Sequence, residues 1–190
     1  MERLLAQAPA PHGNPLYIND LFYSVRDCIG NTFNYEYIRA RQAAEKEDVK
    51  SFEQASANAL GCMSLIEGLL STRPDLSLQK MIDEVMSVPG AHTFVPKMIR
   101  QASVNWDYST CDAHEQFRFF YMPRIEGYLT KLRRQIGTGK VNTDYEAIFG
   151  EDAEKIRKRW VNEGYDLARL KRFEGATLEA VTWALDSVKG

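Results

Sequence analysis

Two aromatic residues enclose a carboxylate in the run Trp106-Asp107-Tyr108. The run falls between two segments of helical periodicity, so we place it in a loop, and loops that a rigid scaffold positions often carry binding residues. Large rings combined with a polar group suit contact with a sugar ring or with a protein partner. The sequence therefore predicts a binding role for this loop.

Other residue types that could do chemistry lack the spacing that the chemistry needs. The three histidines, His12, His92 and His114, form no i,i+4 pair, whereas a metal site needs three or four convergent ligands. Cys111 and His114 are three residues apart, but a nucleophile pair also needs an orienting third group, and none is evident. The Gly-Thr-Gly-Lys run at 137–140 lacks the spacing of a phosphate loop and indicates an interhelical turn. We therefore expect no catalytic residue, no metal and no cofactor.

The acidic residues and the cysteines are explained without chemistry. Acidic residues occur at Asp83-Glu84, Asp107, Asp112, Glu115 and Glu151-Asp152. A glycosidase needs two carboxyl groups about 5–10 Å apart across a sugar cleft, and the sequence does not show such a pair, so we interpret most of them as solvated helix faces. The cysteines, Cys28, Cys62 and Cys111, are odd in number and widely spaced. They fit neither a disulfide framework nor a zinc site and are interpreted as small buried hydrophobes.

Composition excludes several classes of protein. The chain has 190 residues and is 44% hydrophobic and 26% charged, which suits one domain with a sizeable core. Its net charge of −2 gives no basic surface that would indicate nucleic acid or an anionic membrane. No apolar run approaches the ~18 residues of a membrane-spanning helix, and the N-terminal apolar stretch is too short for a signal peptide. We expect neither a nucleic-acid nor a membrane partner, and the compartment stays unknown.

Helical periodicity extends along most of the chain. The predicted helices span residues 17–47, 48–70, 75–88, 96–104, 112–136, 151–162 and 177–188. Gly30 and Asn31 predict a kink in the first helix, Asp75 is expected to cap the third, with Val85 on its inner face, and Pro123 predicts a kink or break in the fifth. No window alternates well enough to predict a sheet. The fold class is all-α, an irregular antiparallel bundle of about six to seven helices.

The expected domain organisation has three parts. Residues 1–15 contain three prolines and a glycine and indicate an N-terminal linker or tail. Residues 16–140 form the helical bundle. Residues 141–190 add C-terminal helices to the same domain.

Four elements, in this order, resemble the C-terminal helical domain of the alpha-N-acetylglucosaminidases, glycoside hydrolases that remove terminal α-linked N-acetylglucosamine. Asp20-Leu21 with Arg26 resembles D-L-x-x-x-T-R, and Leu69-Leu70-Ser71-Thr72-Arg73-Pro74 resembles the L-L-x-T-R-P that closes the second helix. Arg100 and Trp106 are spaced as in A-R-x-Q-I-T-x-W, and Asp107-Tyr108 with Tyr121-Met122-Pro123-Arg124 is similar to D-Y-A-N-K followed by Y-Y-x-P-R-W. The resemblance covers roughly residues 16 to 136.

The sequence departs from the family pattern at several positions. Val25 stands where D-L-x-x-x-T-R has threonine, and Ile125 where Y-Y-x-P-R-W has tryptophan. In the segment that follows Pro74, Met81 stands where the family has a tryptophan and Gln79 where it has a glycine. The loop that separates the tryptophan from the aspartate-tyrosine pair is missing, because Trp106 directly precedes Asp107.

The resemblance implies a non-catalytic helical domain that buttresses a separate catalytic (β/α)₈ barrel, in cis or as a separate chain, and forms one wall of the sugar site. Family members carry two catalytic glutamates on that barrel, which alone takes ~250 residues. We therefore expect a detached C-terminal portion that does not hydrolyse glycosides alone. A longer parent would be extracytoplasmic or lysosomal.

The resemblance also implies roles for four residues in contact with a glycan. Trp106 would stack on a sugar ring, and Asp107 would accept hydrogen bonds from hydroxyls or orient a barrel residue. Tyr108 would complete this contact, and Arg100 would pair with a nearby carboxylate.

Two other functions stay open. The first is a self-standing helical protein-interaction module without sugar binding. A domain that packs on a barrel should expose a large apolar patch, whereas a self-standing module should have a closed polar surface or a compact groove. The second is a small enzyme that uses the scattered carboxylates, which would need convergent acidic groups in a pocket.

Overall fold

The computed structural model describes residues 14–104 and 113–189. Seven helices follow one another: α1 (Pro15–Glu45), α2 (Val49–Ser71), α3 (Leu78–Met86), α4 (Val95–Ala102), α5, α6 (Tyr145–Glu163) and α7 (Thr177–Lys189). Helix α5 consists of His114–Gln116, a π-helical turn at Phe117–Tyr121, and Met122–Gln135. Short 3₁₀ turns lie at Pro74–Leu76 and Leu167–Arg169. The described residues contain no strand, which confirms the all-α prediction.

Helices α1 and α2 form a long antiparallel hairpin. The Asn14 side chain accepts a hydrogen bond from the Leu16 N–H and starts α1, and the Asp48 side chain accepts one from the Ser51 N–H and starts α2. Only three residues connect the two helices, so they pack side by side along most of their length. Helix α1 continues through Gly30, the position where the sequence indicated a kink.

Three apolar clusters hold the helices together. The first joins α1, α2 and α7, the second joins α1, α2, α5 and α6, and the third joins α3, α5 and α6. Their largest fully buried side chains are Trp160, Tyr128, Phe22, Ile29 and Leu69. Each such side chain stabilises the fold by about 1.5–3 kcal/mol relative to an exposed position. Helix α4 contributes no buried residue to these clusters.

The cysteines in the described residues are structural. Cys62 is buried, and Cys28 is half-buried, while Cys111 lies outside the described residues. Burial, and next the charge of Glu36, raise the pKa of the Cys62 thiol. A raised pKa keeps the thiol protonated, so Cys62 is a packing residue rather than a nucleophile.

Two predicted helix starts are wrong. Helix α3 is capped by Ser77, whose hydroxyl accepts from the Lys80 N–H, and Asp75 lies in the preceding 3₁₀ turn. Helix α6 begins at Tyr145 rather than at residue 151, because Asp144 accepts from the Ala147 N–H and caps it there. Glycine does not stop this helix, although Gly150 lies within its second turn. Val85, expected on the inner face of α3, is 38% exposed.

Pro123 changes the hydrogen bonding of α5 without ending the helix. Proline has no N–H to donate to the carbonyl four residues earlier, which is that of Phe119. The turn just before it is π-helical, and the Met122 N–H donates to the Phe117 carbonyl five residues back. The expected break is therefore a local widening of the helix, a form that occurs often at functional sites.

No helix among the described residues combines the length and the apolar character that crossing a bilayer would require.

Two glycines on helix surfaces predict opposite effects of the same substitution. A Cβ on Gly127 of α5 would overlap the Phe149 ring of α6, so Gly127→Ala should destabilise the protein by about 1–3 kcal/mol. Gly61 of α2 faces open space, so Gly61→Ala should stabilise it by about 0.5–1 kcal/mol through helix propensity. Urea unfolding of both variants measures the difference. Equal free energies of unfolding would contradict this packing of α5 on α6.

Candidate functional site

Three of the four predicted site residues, Trp106, Asp107 and Tyr108, lie outside the described residues. The fourth, Arg100, lies in the last turn of α4. The residues just before and just after the gap, up to Val104 and from Ala113, are described. The contacts of these flanking residues therefore define where the predicted loop leaves the bundle and returns to it.

Helix α4 has little apolar burial, since Ile99 is only half-buried against the third cluster. It has eight residues, none of them buried, and its N-terminus has no side-chain cap. Isolated helices of this length are marginal in water, so tertiary contacts must supply the stability.

Reciprocal hydrogen bonds fasten α4 to α6. Arg100 Nε donates to the Val161 carbonyl at 3.2 Å, and Trp160 Nε1 donates to the Arg100 carbonyl at 3.1 Å and to Ser103 Oγ at 3.2 Å. The Val161 carbonyl belongs to the last turn of α6, where carbonyls lack intrahelical partners. We call these contacts the α4–α6 clasp. The clasp fixes the end of α4 and thereby the start of the segment with Trp106.

A buried glutamine joins the two ends of that segment. Gln116 is fully buried, and its Nε2 donates to the Ser103 carbonyl and, at 3.3 Å, to the Tyr121 hydroxyl. Ser103 precedes the 105–112 gap and Gln116 follows it, so the described residues on the two sides of the gap lie close together.

Glu115 stabilises the start of α3 from a different helix. Its carboxylate accepts from the Ser77 hydroxyl at 2.6 Å, from the Leu78 N–H at 2.9 Å and from the Gln79 N–H at 3.2 Å. A negative charge at a helix N-terminus is favourable because the free N–H groups point toward it. The interpretation of Glu115 as part of a solvated face is wrong, since only 2% of it is exposed.

A second buried carboxylate, Glu67 of α2, faces the side chains of His114 and Arg118 of α5. Glu67 Oε1 lies 3.8 Å from His114 Nε2 and accepts from the Lys171 N–H at 3.4 Å, while Oε2 lies 3.5 Å from Arg118 Nη1. No local sequence pattern indicates this cluster, because its members are up to 104 residues apart. No three His, Cys, Asp or Glu side chains among the described residues are placed to hold a metal ion.

Large apolar side chains are exposed on α3, α4 and the turn between them. They are Met81, Val85, Val88, Phe94 and Met98, each between 38% and 58% exposed. We call this set the α3–α4 apolar face. Met81 and Val85 are one helical turn apart, as are Phe94 and Met98, and the two helices contact each other. Leu78 and Ile82 bury one side of α3 in the third cluster, and the clasp and Glu115 add polar contacts. The five side chains of the α3–α4 apolar face stay exposed.

The clasp predicts unequal effects for two tryptophans. Trp160→Phe removes the indole donor from Ser103 Oγ and from the part-buried Arg100 carbonyl, which keeps the Ser103 hydroxyl as a donor, and this loss should cost about 1–2 kcal/mol in the free energy of unfolding. Trp183→Phe is the matched control, because Trp183 is 38% exposed and no hydrogen bond of its indole appears in the described residues. Urea unfolding compares them. Equal losses for the two variants would argue against the clasp.

Comparison with known proteins agrees with this architecture. The family model described as "Alpha-N-acetylglucosaminidase (NAGLU) C-terminal domain" matches residues 1–183. No curated protein matches the chain. The match covers nearly the whole sequence. It therefore reaches beyond the separate motifs, which end near residue 136, and includes α6 and most of α7. The chain belongs to the family of alpha-N-acetylglucosaminidase C-terminal domains.

Proposed function

We propose that this helical domain buttresses a catalytic barrel and forms one wall of its sugar site. Family membership provides the helical domain of an alpha-N-acetylglucosaminidase-like enzyme. The observation that carries the proposal is the α3–α4 apolar face, which lies directly before the segment with Trp106 in the chain.

The α3–α4 apolar face has the chemistry of an interdomain contact. Clustered exposed apolar side chains are uncommon on monomeric proteins and mark interaction sites. Helix α4 has no buried residue, yet Phe94 and Met98 expose more than half of their surface. Ile99 of this helix packs against the third cluster, whereas Phe94 and Met98 would gain apolar contacts when another body covers them. A catalytic barrel, in cis or as a separate chain, is the partner that the family implies.

In this proposal, the segment with Trp106, Asp107 and Tyr108 forms the wall of the sugar site. Trp106 stacks on the sugar ring, Asp107 accepts hydrogen bonds from its hydroxyls, and Tyr108 completes the contact. Arg100 holds the end of α4 through its Nε, and in this proposal its guanidinium pairs with a nearby carboxylate. Both glutamates that perform the hydrolysis belong to the barrel, so this chain alone does not hydrolyse glycosides.

A charge placed on the α3–α4 apolar face tests the docking. Met98→Glu should weaken binding to a barrel expressed without its own helical domain by about tenfold or more, because docking would desolvate the carboxylate. Ile38→Glu is the control, since Ile38 is similarly exposed but lies on α1. Analytical ultracentrifugation measures both affinities. If wild-type chain and barrel do not associate, or if the two variants bind alike, the buttressing role is wrong and a self-standing module gains support.

A substitution in the segment with Trp106 tests the sugar contact. Trp106→Ala should lower kcat/KM of the assembled barrel for a chromogenic α-N-acetylglucosaminide by about tenfold through the lost stacking, and Trp106→Phe should retain most of it. Association with the barrel should stay unchanged in both. Unchanged kcat/KM in the alanine variant would contradict the sugar contact, as would hydrolysis by this chain alone.

A further inference from the structure

A concave site adjoins the clasp. It is a cleft of 540 Å³ between α5, α6 and the turn after α6, within the size range of small-molecule sites. Trp160 and Gly164 line it. An added Cβ on Gly164 would lie 3.7 Å from Arg100 Nη1, so the clasp and this cleft share a wall. We call it the α5–α6 cleft.

Charges in the α5–α6 cleft are balanced. Three arginines and three carboxylates line it: Arg118, Arg159, Arg169, Glu126, Glu163 and Asp166. Arg118 lies beside Glu67, and Arg159 lies 3.9 Å from Glu163. Equal numbers of cations and carboxylates disfavour a strongly charged ligand. They suit an uncharged polyhydroxyl ligand, because each hydroxyl both donates and accepts hydrogen bonds.

One cationic and one anionic side chain in this cleft keep their hydrogen-bonding capacity. In residues 14–104 and 113–189, neither Arg169 nor the Glu126 carboxylate forms an ion pair or a side-chain hydrogen bond, and both are exposed. Arg169 offers donors and Glu126 offers acceptors toward the same space.

A row of three stacked rings supplies the apolar part of the cleft. Tyr165 stacks on Trp160 at 5.1 Å between ring centroids and on Phe119 at 5.3 Å, with interplanar angles of 17° and 10°. Trp160 is buried, whereas Phe119 is half-buried at the cleft end of the row and belongs to the π-helical turn. A flat ring beside polar groups matches the apolar C–H face and the hydroxyl rim of a pyranose.

We propose that the α5–α6 cleft binds an uncharged pyranose unit of the glycan. The ring of Phe119 stacks on the sugar, and Arg169 and Glu126 hydrogen-bond its hydroxyls. The inference rests on the proposed function for the choice of a glycan. It adds a sugar contact that is separate from Trp106 and needs no barrel, because every residue that forms the cleft belongs to this chain.

Protein-detected NMR titration of the full chain with N-acetylglucosamine tests the site. Saturable shifts should appear at residues around Phe119 and Arg169. Phe119→Leu should weaken binding about five- to tenfold, as expected when one ring contact is lost. Phe173→Leu is the matched control, because Phe173 is a half-buried phenylalanine whose ring contacts Trp183 at a tilt, outside the cleft. Glu126→Gln tests the polar contact without a change in packing, because its side chain is exposed, and it should also weaken binding.

Several outcomes would overturn the inference. They are the absence of saturable shifts, equal affinities of the Phe119→Leu variant and its control, and tighter, salt-dependent binding of N-acetylglucosamine 6-phosphate. The titration uses the chain without a barrel, so a negative result leaves the docking and Trp106 experiments unaffected. If the chain binds N-acetylglucosamine in the titration but does not associate with the barrel, only the proposed function is rejected.

Discussion

The position of helix α4 depends mainly on polar contacts, beside one half-buried apolar contact made by Ile99. With eight residues and none of them buried, this helix relies on the hydrogen bonds that Arg100 and Trp160 exchange across to α6. A hydrogen bond is directional, so the clasp fixes the orientation of α4 more narrowly than apolar contact would. The orientation of α4 in turn sets the position of the α3–α4 apolar face. It also sets where the chain enters the segment with Trp106 and where Arg100 borders the α5–α6 cleft.

Helix α3 buries Leu78 and Ile82 in the third cluster, yet the hairpin of α3 and α4 also exposes large apolar side chains. Polar groups such as Glu115 and Gln116 are buried beneath it, while Met98 and its apolar neighbours face outward. Buried polar groups are costly unless they are paired, and here most of their hydrogen bonds go to backbone groups at helix ends. One side of the hairpin therefore packs on the bundle, while the other side exposes apolar side chains. This arrangement suits a domain that contacts a larger partner.

Sequence periodicity predicted all seven helices, because the apolar stripes that form the three clusters recur at helical spacing. The predicted helix boundaries were wrong where a capping side chain determines the start of a helix. At Asp144, for example, the cap starts α6 earlier than the apolar pattern predicted. The supports of the candidate site could not be predicted. Glu115 meets the start of α3 across some 37 residues, and Trp160 meets Arg100 across 60, and neither pair follows any local pattern. The family motifs predicted a binding role for Trp106, but they did not indicate the contacts of the residues on either side of that segment.

Hydrogen exchange of this chain with and without a catalytic barrel tests the central claim most directly. Amide protection reports which backbone regions become covered when the two associate. The account predicts added protection over α3, α4 and residues 105–112, with little change over the outer surface of α1. Added protection confined to another face of the bundle, with residues 78–112 unchanged, would contradict the claim that this domain forms a wall of the sugar site.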